Sequence, residues 1–253
     1  MKRIAIALII SALAAAVSCS KDRNASKGVI AGAKEIGVIM EQDSSVRLDP
    51  LIYSARIAVL ATGEQVEVLD KSKEKAPVAG KLNYWYKIRL RDGIVGWIYG
   101  ANLKVFTEGS DSSVESFAKE LRAEEAGNVM KALKGRWWSI TDTQAFTDNI
   151  LSLKDNGTYA SMKKAKAEGE NPPALEGDYK VDTLNSKITF SKGTTVGDTI
   201  DYIIRGDIYV LESSVDGKRV TFKKISSDPE YKRDMNEAED ASAVSQKKES
   251  KKP

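Results

Sequence analysis

The chain of 253 residues contains no histidine and a single cysteine, Cys19. Without histidine, no Ser-His-Asp or Cys-His nucleophile can be assembled, and no zinc or iron site with an imidazole ligand. A lone cysteine leaves no disulfide and no thiolate cluster, so any folded body must be stable through its apolar cores. Aromatic residues make up only 7% of the chain, yet the four tryptophans are bunched at Trp85, Trp97, Trp137 and Trp138. Neither sign of charge dominates. The formal net charge is +3, with no concentrated cationic stretch of the kind a phosphate backbone selects, which argues against nucleic acid as a partner. Carboxylates could in principle form a glycosidase-like pair, but here they fall in hairpin turns and on charged faces and read as solvated surface. The chain is expected not to be an enzyme and to hold neither metal nor diffusible cofactor.

Long apolar runs are also missing. The longest, at residues 4–13, falls short of the roughly 20 residues that span a bilayer. It follows the positive start Met1-Lys2-Arg3 and precedes the small residues Ala14-Ala15-Ala16-Val17-Ser18, which is the layout of a secretory signal. Ala16-Val17-Ser18-Cys19 resembles a bacterial lipobox, with Ala16 standing where leucine is usual. The resemblance implies that residues 1–18 are a lipoprotein signal peptide, and that Cys19 becomes the lipidated first residue. The acyl group would then be the only covalent addition, and the bilayer the first partner. Loss of Lys2 and Arg3 with the signal would bring the net charge to about +1. One acyl chain holds a protein marginally and two or more hold it stably; the usual lipoprotein processing implied by the resemblance adds two or three, so attachment should persist. Ser20 is not the aspartate that retains some lipoproteins at the inner membrane, so the outer membrane is the expected location within the cell envelope. Residues 19–36 are small and charged with little periodicity, as a flexible tether would be.

From residue 37 to 106 the text turns to β structure. Gln65-Val66-Glu67-Val68-Leu69 and Trp85-Tyr86-Lys87-Ile88-Arg89-Leu90 alternate with a period of two. Asp92-Gly93 marks a type I′ hairpin turn, and Ile94-Val95-Gly96-Trp97-Ile98-Tyr99 returns. Residues 107–134 read as a polar link and a helix, with Ser112 and Glu115 at capping-box spacing. Phe117, Leu121, Val129 and Leu133 form an apolar stripe that Gly127-Asn128 could interrupt. Residues 135–226 read as a meander of about eight short strands, which favours an up-and-down barrel because closure removes exposed edges. Residues 227–253 are charged and almost free of apolar side chains, so the tail is expected to be disordered.

Two further resemblances cover the β segments. Ser45-Val46-Arg47-Leu48-Asp49-Pro50, Gly63-Glu64-Gln65-Val66, the strand from Trp85 and Gly96-Trp97-Ile98-Tyr99-Gly100 resemble the bacterial SH3 (SH3b) domain in the right order. Residues 71–83 make a longer loop than that domain usually carries. The resemblance implies a binding module, often in cell-envelope proteins and attributed to peptidoglycan or peptide recognition. Alternation puts Tyr86, Ile88 and Leu90 on the core face and Trp85, Lys87 and Arg89 on the other. A ligand groove lined by Tyr53, Trp85, Trp97 and Tyr99 is one expectation; the other is that Trp97 and Tyr99 complete a small core. Gly135-Arg136-Trp137, Asn156-Gly157-Thr158-Tyr159 and Gly206-Asp207-Ile208-Tyr209 resemble a short lipocalin-like domain, whose Gly-X-Trp start plugs the barrel base. Eight strands can hold either a filled core or one small ligand, and so short a barrel is expected to be filled.

The expected architecture is therefore all-β, with an SH3b barrel and an eight-stranded lipocalin-like barrel joined by a short helix. The expected function is a membrane-anchored, non-catalytic binding or scaffolding lipoprotein that recognises peptidoglycan peptides or an envelope protein. Alternatives are a carrier of a small apolar ligand in the C-terminal barrel, and a surface adhesin. The adhesin reading rests on Arg205-Gly206-Asp207, a triplet that a strand-to-strand turn also favours.

Overall fold

A computed structural model describes residues 33–107, 111–141, 143–164, 173–205, 208–215 and 218–230. Cys19 with its leader, most of the expected tether, Gly206-Asp207 and the tail after Glu230 lie outside the described residues.

The N-terminal half is built from β1 (Glu35–Ile39), β2 (Ser44–Arg47), β3 (Arg56–Leu60), β4 (Gln65–Lys71), β5 (Ala76–Val78), β6 (Lys81–Asn83), β7 (Trp85–Arg89), β8 (Val95–Tyr99) and, after a 3-10 turn at Gly100–Asn102, β9 (Leu103–Thr107). Seven of these form one sheet in the order β3-β2-β8-β7-β4-β1-β9, while β5 and β6 form a separate hairpin. Every strand of the sheet sends a side chain into a common core: Ile39, Val46, Leu60, Val66 and Val68, Ile88, Ile98, and Leu103. Each such aliphatic side chain is worth about 1.5–3 kcal/mol when fully buried, which curls the sheet around itself. At Gly96 a Cβ would lie within 3 Å of Val46, Ile57 and the Arg47 carbonyl oxygen, so only glycine lets β8 approach β2 this closely.

Two expectations need correction here. The β7–β8 connection is not a two-residue type I′ turn. Leu90 N–H donates to Ile94 O and Gly93 N–H to Leu90 O, and only Gly93 has a positive φ; this is a three-residue loop with glycine in the left-handed position. Secondary structure also starts earlier than residue 37. Glu35 opens β1, because Ile36 and Val38 bury their side chains on the sheet's outer face against the helix.

That helix, α1 (Asp111–Leu133), runs unbroken for 23 residues. Gly127 does not interrupt it. The apolar stripe has two halves that serve different bodies. Val114 and Ala118 pack on Ile36 and Val38, flanked by Phe106, Phe117 and Leu121, with Lys104 Nζ 4.0 Å above the Phe117 ring. Val129 and Leu133 instead enter the core of the second domain. Glu115 does not act as a capping residue: its carboxylate accepts from Gln65 Nε2 at 2.9 Å and from Arg122 at 3.1 Å. Arg122 also donates to Gly63 O at 2.8 Å, tying the helix to the β3–β4 turn.

The second domain is a closed antiparallel barrel of eight strands, ordered as in the sequence: β10 (Gly135–Ile140), β11 (Phe146–Leu153), β12 (Thr158–Lys163), β13 (Leu175–Asp182), β14 (Lys187–Thr194), β15 (Gly197–Arg205), β16 (Ile208–Val215) and β17 (Lys218–Ser226). Pairing of β17 with β10 closes it. Gly135 sits at φ 142°, and a Cβ there would lie 2.2 Å from Ser226 O, so the closing seam requires glycine. The interior is packed with Trp137, Leu151, Leu153, Tyr159, Tyr179, Ile188, Phe190, Ile200, Tyr202, Leu211 and Phe222. Buried hydroxyls are satisfied from within: Tyr159 donates to Gly193 O at 2.5 Å and Tyr179 to Lys154 O at 2.6 Å. Burial pushes the Tyr179 phenol up to about 12 and raises those of Tyr202 and Tyr159.

Both ends are covered. At the base, Trp137 Nε1 donates to Leu133 O at 2.9 Å, and Lys224 Nζ donates to Ala132 O at 3.0 Å, seating the helix end. At the far end, the β14–β15 hairpin turns inward, burying Val196 in the core. Thr195 N–H donates to Ser161 Oγ at 3.1 Å, and Ser213 Oγ donates to Val196 O at 2.8 Å.

Candidate functional site

The loop between β2 and β3 is short, pinned and apolar at its tip. Arg47 Nη1 donates to Ser54 O at 2.7 Å, and Leu48 N–H donates to Ala55 O at 3.0 Å. Ser54 Oγ donates to Asp49 Oδ2 at 3.1 Å and accepts from Asp49 N–H at 2.9 Å. This cross-bracing holds Leu51 63% exposed and Tyr53 97% exposed, with Leu48 and Ile52 beside them. Ile57 on β3 and Ile94 and Val95 at the β7–β8 connection are exposed as well. Ile57 Cδ1 lies 2.7 Å from the position that a Cβ would take at Gly96, so β3 and β8 approach closely there. Scattered surface leucines are ordinary, but a contiguous apolar group on a braced loop is the usual mark of an interaction site.

The four residues expected to form one groove are divided by the structure. Tyr53 stands on the loop tip. Trp97 is half-buried on β8, opposite Arg47 on β2 and Lys87 on β7. Trp85 and Tyr99 are only 3% and 7% exposed, packed edge to face with ring centroids 5.4 Å apart. The inserted segment covers them. Tyr99 Oη donates to Ala76 O at 2.9 Å and to Lys81 O at 2.5 Å, which clamps the β5–β6 hairpin over the pair. Trp85 does fall on the outer face that alternation assigns to it, but the hairpin adds a second layer, so neither ring offers a ligand-facing surface. Among the described residues, the Trp85 indole N–H is buried without a hydrogen-bond partner. Leu48, Leu51, Ile52, Ile57, Ile94 and Val95 escaped the sequence reading. The available signal was Leu51-Ile52-Tyr53, an unalternating apolar run directly after Pro50, where a turn should be polar.

Residues 44–104 match the family model for the bacterial SH3 domain. The chain carries a bacterial SH3 domain there. The match runs from the start of β2 into β9, and it includes the braced loop, Trp97 and the covering hairpin. No curated protein matches the chain. Outside the SH3 domain lie β1, α1 and the barrel. A domain of this kind implies a binding module, and the loop of residues 48–55 is the part of this one with the most exposed apolar side chains.

The barrel offers a different surface. A cleft of about 760 Å³ lies on its outer wall, where Arg136, Lys154 and Lys192 face Glu176, Asp178 and Glu230. Lys154 pairs with Glu230 at 2.5 Å. Burial lowers the Arg136 guanidinium from its ordinary value while Glu230 acts in the opposite direction. Three cations and three carboxylates balance, so the cleft selects neither sign of charge.

Proposed function

We propose that the chain is a lipid-anchored cell-envelope protein, held by an acylated Cys19, whose SH3 domain binds a peptide. The source of that peptide is the stem peptides of peptidoglycan or a segment of an envelope protein. The observation that carries this reading is the braced loop of residues 48–55, which leaves Leu51 63% and Tyr53 97% exposed. Preorganised loops bind well because little ordering entropy remains to be lost. The barrel, short, lipocalin-like and filled, serves as a rigid body rather than a container. Missing histidine and thiolate chemistry supports a non-catalytic role. Retention of the full chain on purified cell wall tests the reading. Leu51→Asp and Tyr53→Ala should each reduce retention about tenfold, the scale of an interface hot spot. Absence of retention, together with absence of any captured envelope peptide, overturns it, and mass spectrometry showing a free Cys19 thiol in native material overturns the anchoring.

A further inference from the structure

We propose that the peptide recognised by the SH3 domain is acidic, and that its carboxylates dock on a cross-strand row of cations flanking Trp97. The inference rests on the peptide-binding reading above and adds the chemistry of the ligand. Arg56 on β3 lies opposite Arg47 on β2, Arg47 opposite Trp97 on β8, Trp97 opposite Lys87 on β7, and Lys87 opposite Asp70 on β4. Directly opposed residues share a face of a sheet. Since Val46, Ile98 and Ile88 on the same strands point into the core, this row runs across the outer face.

Among the described residues, the row sets three cations against one carboxylate, that of Asp70, which also accepts the Lys71 N–H at 2.7 Å. The neighbouring row is different: Arg89 lies opposite Glu67, and its guanidinium is bonded to Glu67 Oε2 at 2.7 Å. Arg47 faces Arg56 directly, an arrangement that destabilises a sheet unless an anion sits between the two. Arg47 also spends one arm of its fork on Ser54 O, so the same side chain braces the apolar loop and belongs to the cationic row.

The spacing specifies the ligand further. From β3 to β7 the row crosses three strand gaps, about 14 Å at the usual inter-strand spacing. An extended peptide rises roughly 3.4 Å per residue and points alternate side chains to one side. Carboxylates at positions i and i+4 therefore reach Arg56 and Lys87, with the side chain at i+2 set down beside Trp97. An extended Glu-x-Leu-x-Glu segment fits this pattern.

Fluorescence anisotropy with the full chain tests it, using a fluorescein-labelled peptide with two Glu-Ser-Leu-Ser-Glu repeats and a twin with glutamine for each glutamate. The acidic peptide should bind about tenfold tighter at low salt, with the advantage shrinking as salt screens the charges. Arg56→Glu and Lys87→Glu should each weaken the acidic peptide about fivefold and leave the twin unchanged; Lys87→Gln should give a smaller loss, and Lys131→Glu, on the exposed face of α1, none. Equal binding of the two peptides, with Leu51→Asp still weakening both, overturns the acidic specificity but keeps peptide recognition. Binding of neither peptide overturns both. Sedimentation with phosphatidylglycerol vesicles that the acidic peptide does not compete away assigns the row to a membrane surface and overturns the proposal.

Discussion

The two β bodies of this chain solve the problem of strand edges in different ways, and the difference leaves exposed apolar side chains on the one and a closed wall on the other. The barrel joins β17 to β10 and has no edge. Trp137, Tyr159, Tyr179, Phe190, Tyr202 and Phe222 point inward, and a helix end and a hairpin close it. The SH3 sheet keeps two edges, β3 and β9. The β9 side is covered, since Phe106 packs on Phe117 of α1 at 5.5 Å. Among the described residues only β2 pairs with β3, and the loop that joins these two strands carries the exposed Leu48, Leu51, Ile52 and Tyr53. Unpaired strand edges invite pairing with other chains, and here the edge is flanked by a braced loop with an exposed apolar tip. α1 belongs to both bodies, with its first half on the sheet and its last turn in the barrel floor.

The comparison can be broken experimentally, starting with its largest expected effect. Trp137→Ala removes the fully buried ring that plugs the barrel base and its bond to Leu133 O, and should cost about 3–5 kcal/mol in denaturant unfolding. A loss under 1 kcal/mol would mean that the barrel floor is not closed by this ring. Alkaline pH comes next. The unfolded chain releases a tyrosine proton near pH 10, whereas burial holds Tyr179 protonated to about 12 and raises Tyr202 as well. Stability from these phenols is therefore complete below pH 10 and is lost as pH climbs through about 12, on the order of 2 kcal/mol for Tyr179. Flat stability over that window would contradict the filled interior.

Smaller effects sharpen the contrast. Gly127 lies in the helix between the two docking halves, and a Cβ there meets nothing within 4 Å. Gly127→Ala should therefore stabilise the chain by about 0.5–1 kcal/mol; destabilisation would show that the helix must flex at this point. Tyr53→Ala, at a residue 97% exposed, should change thermal stability by less than about 0.5 kcal/mol while reducing ligand retention. A clear loss of stability would make Tyr53 a structural residue and move the site elsewhere.

Much of this architecture was written in local patterns. Alternation located the strands around Val66, Ile88 and Ile98, and the run of turns from residue 135 to 226 announced consecutive hairpins. Their closure into a barrel follows from pairing each strand with its neighbour. The candidate site was less legible because alternation distinguishes two faces of a strand but not whether a further layer lies over one of them. Trp85 and Lys87 share the outer face, yet the β5–β6 hairpin buries the first and leaves the second at the surface. Ile36 and Val38 were hidden for the same reason, since a strand buried on both faces shows no alternation.

Taken alone, the amino-acid order determined strand positions, the helix, the Gly135-Arg136-Trp137 start of the barrel and the limits on chemistry set by missing histidine. These depend on backbone preferences and side-chain type, which act over a few residues. Tertiary structure decided which aromatic rings are covered, how Arg47 braces a loop, and that Arg56, Arg47, Trp97 and Lys87 stand in one row. Strand order pairs residues as far apart as Arg136 and Ser226, and register and layering across such distances are set by long-range packing.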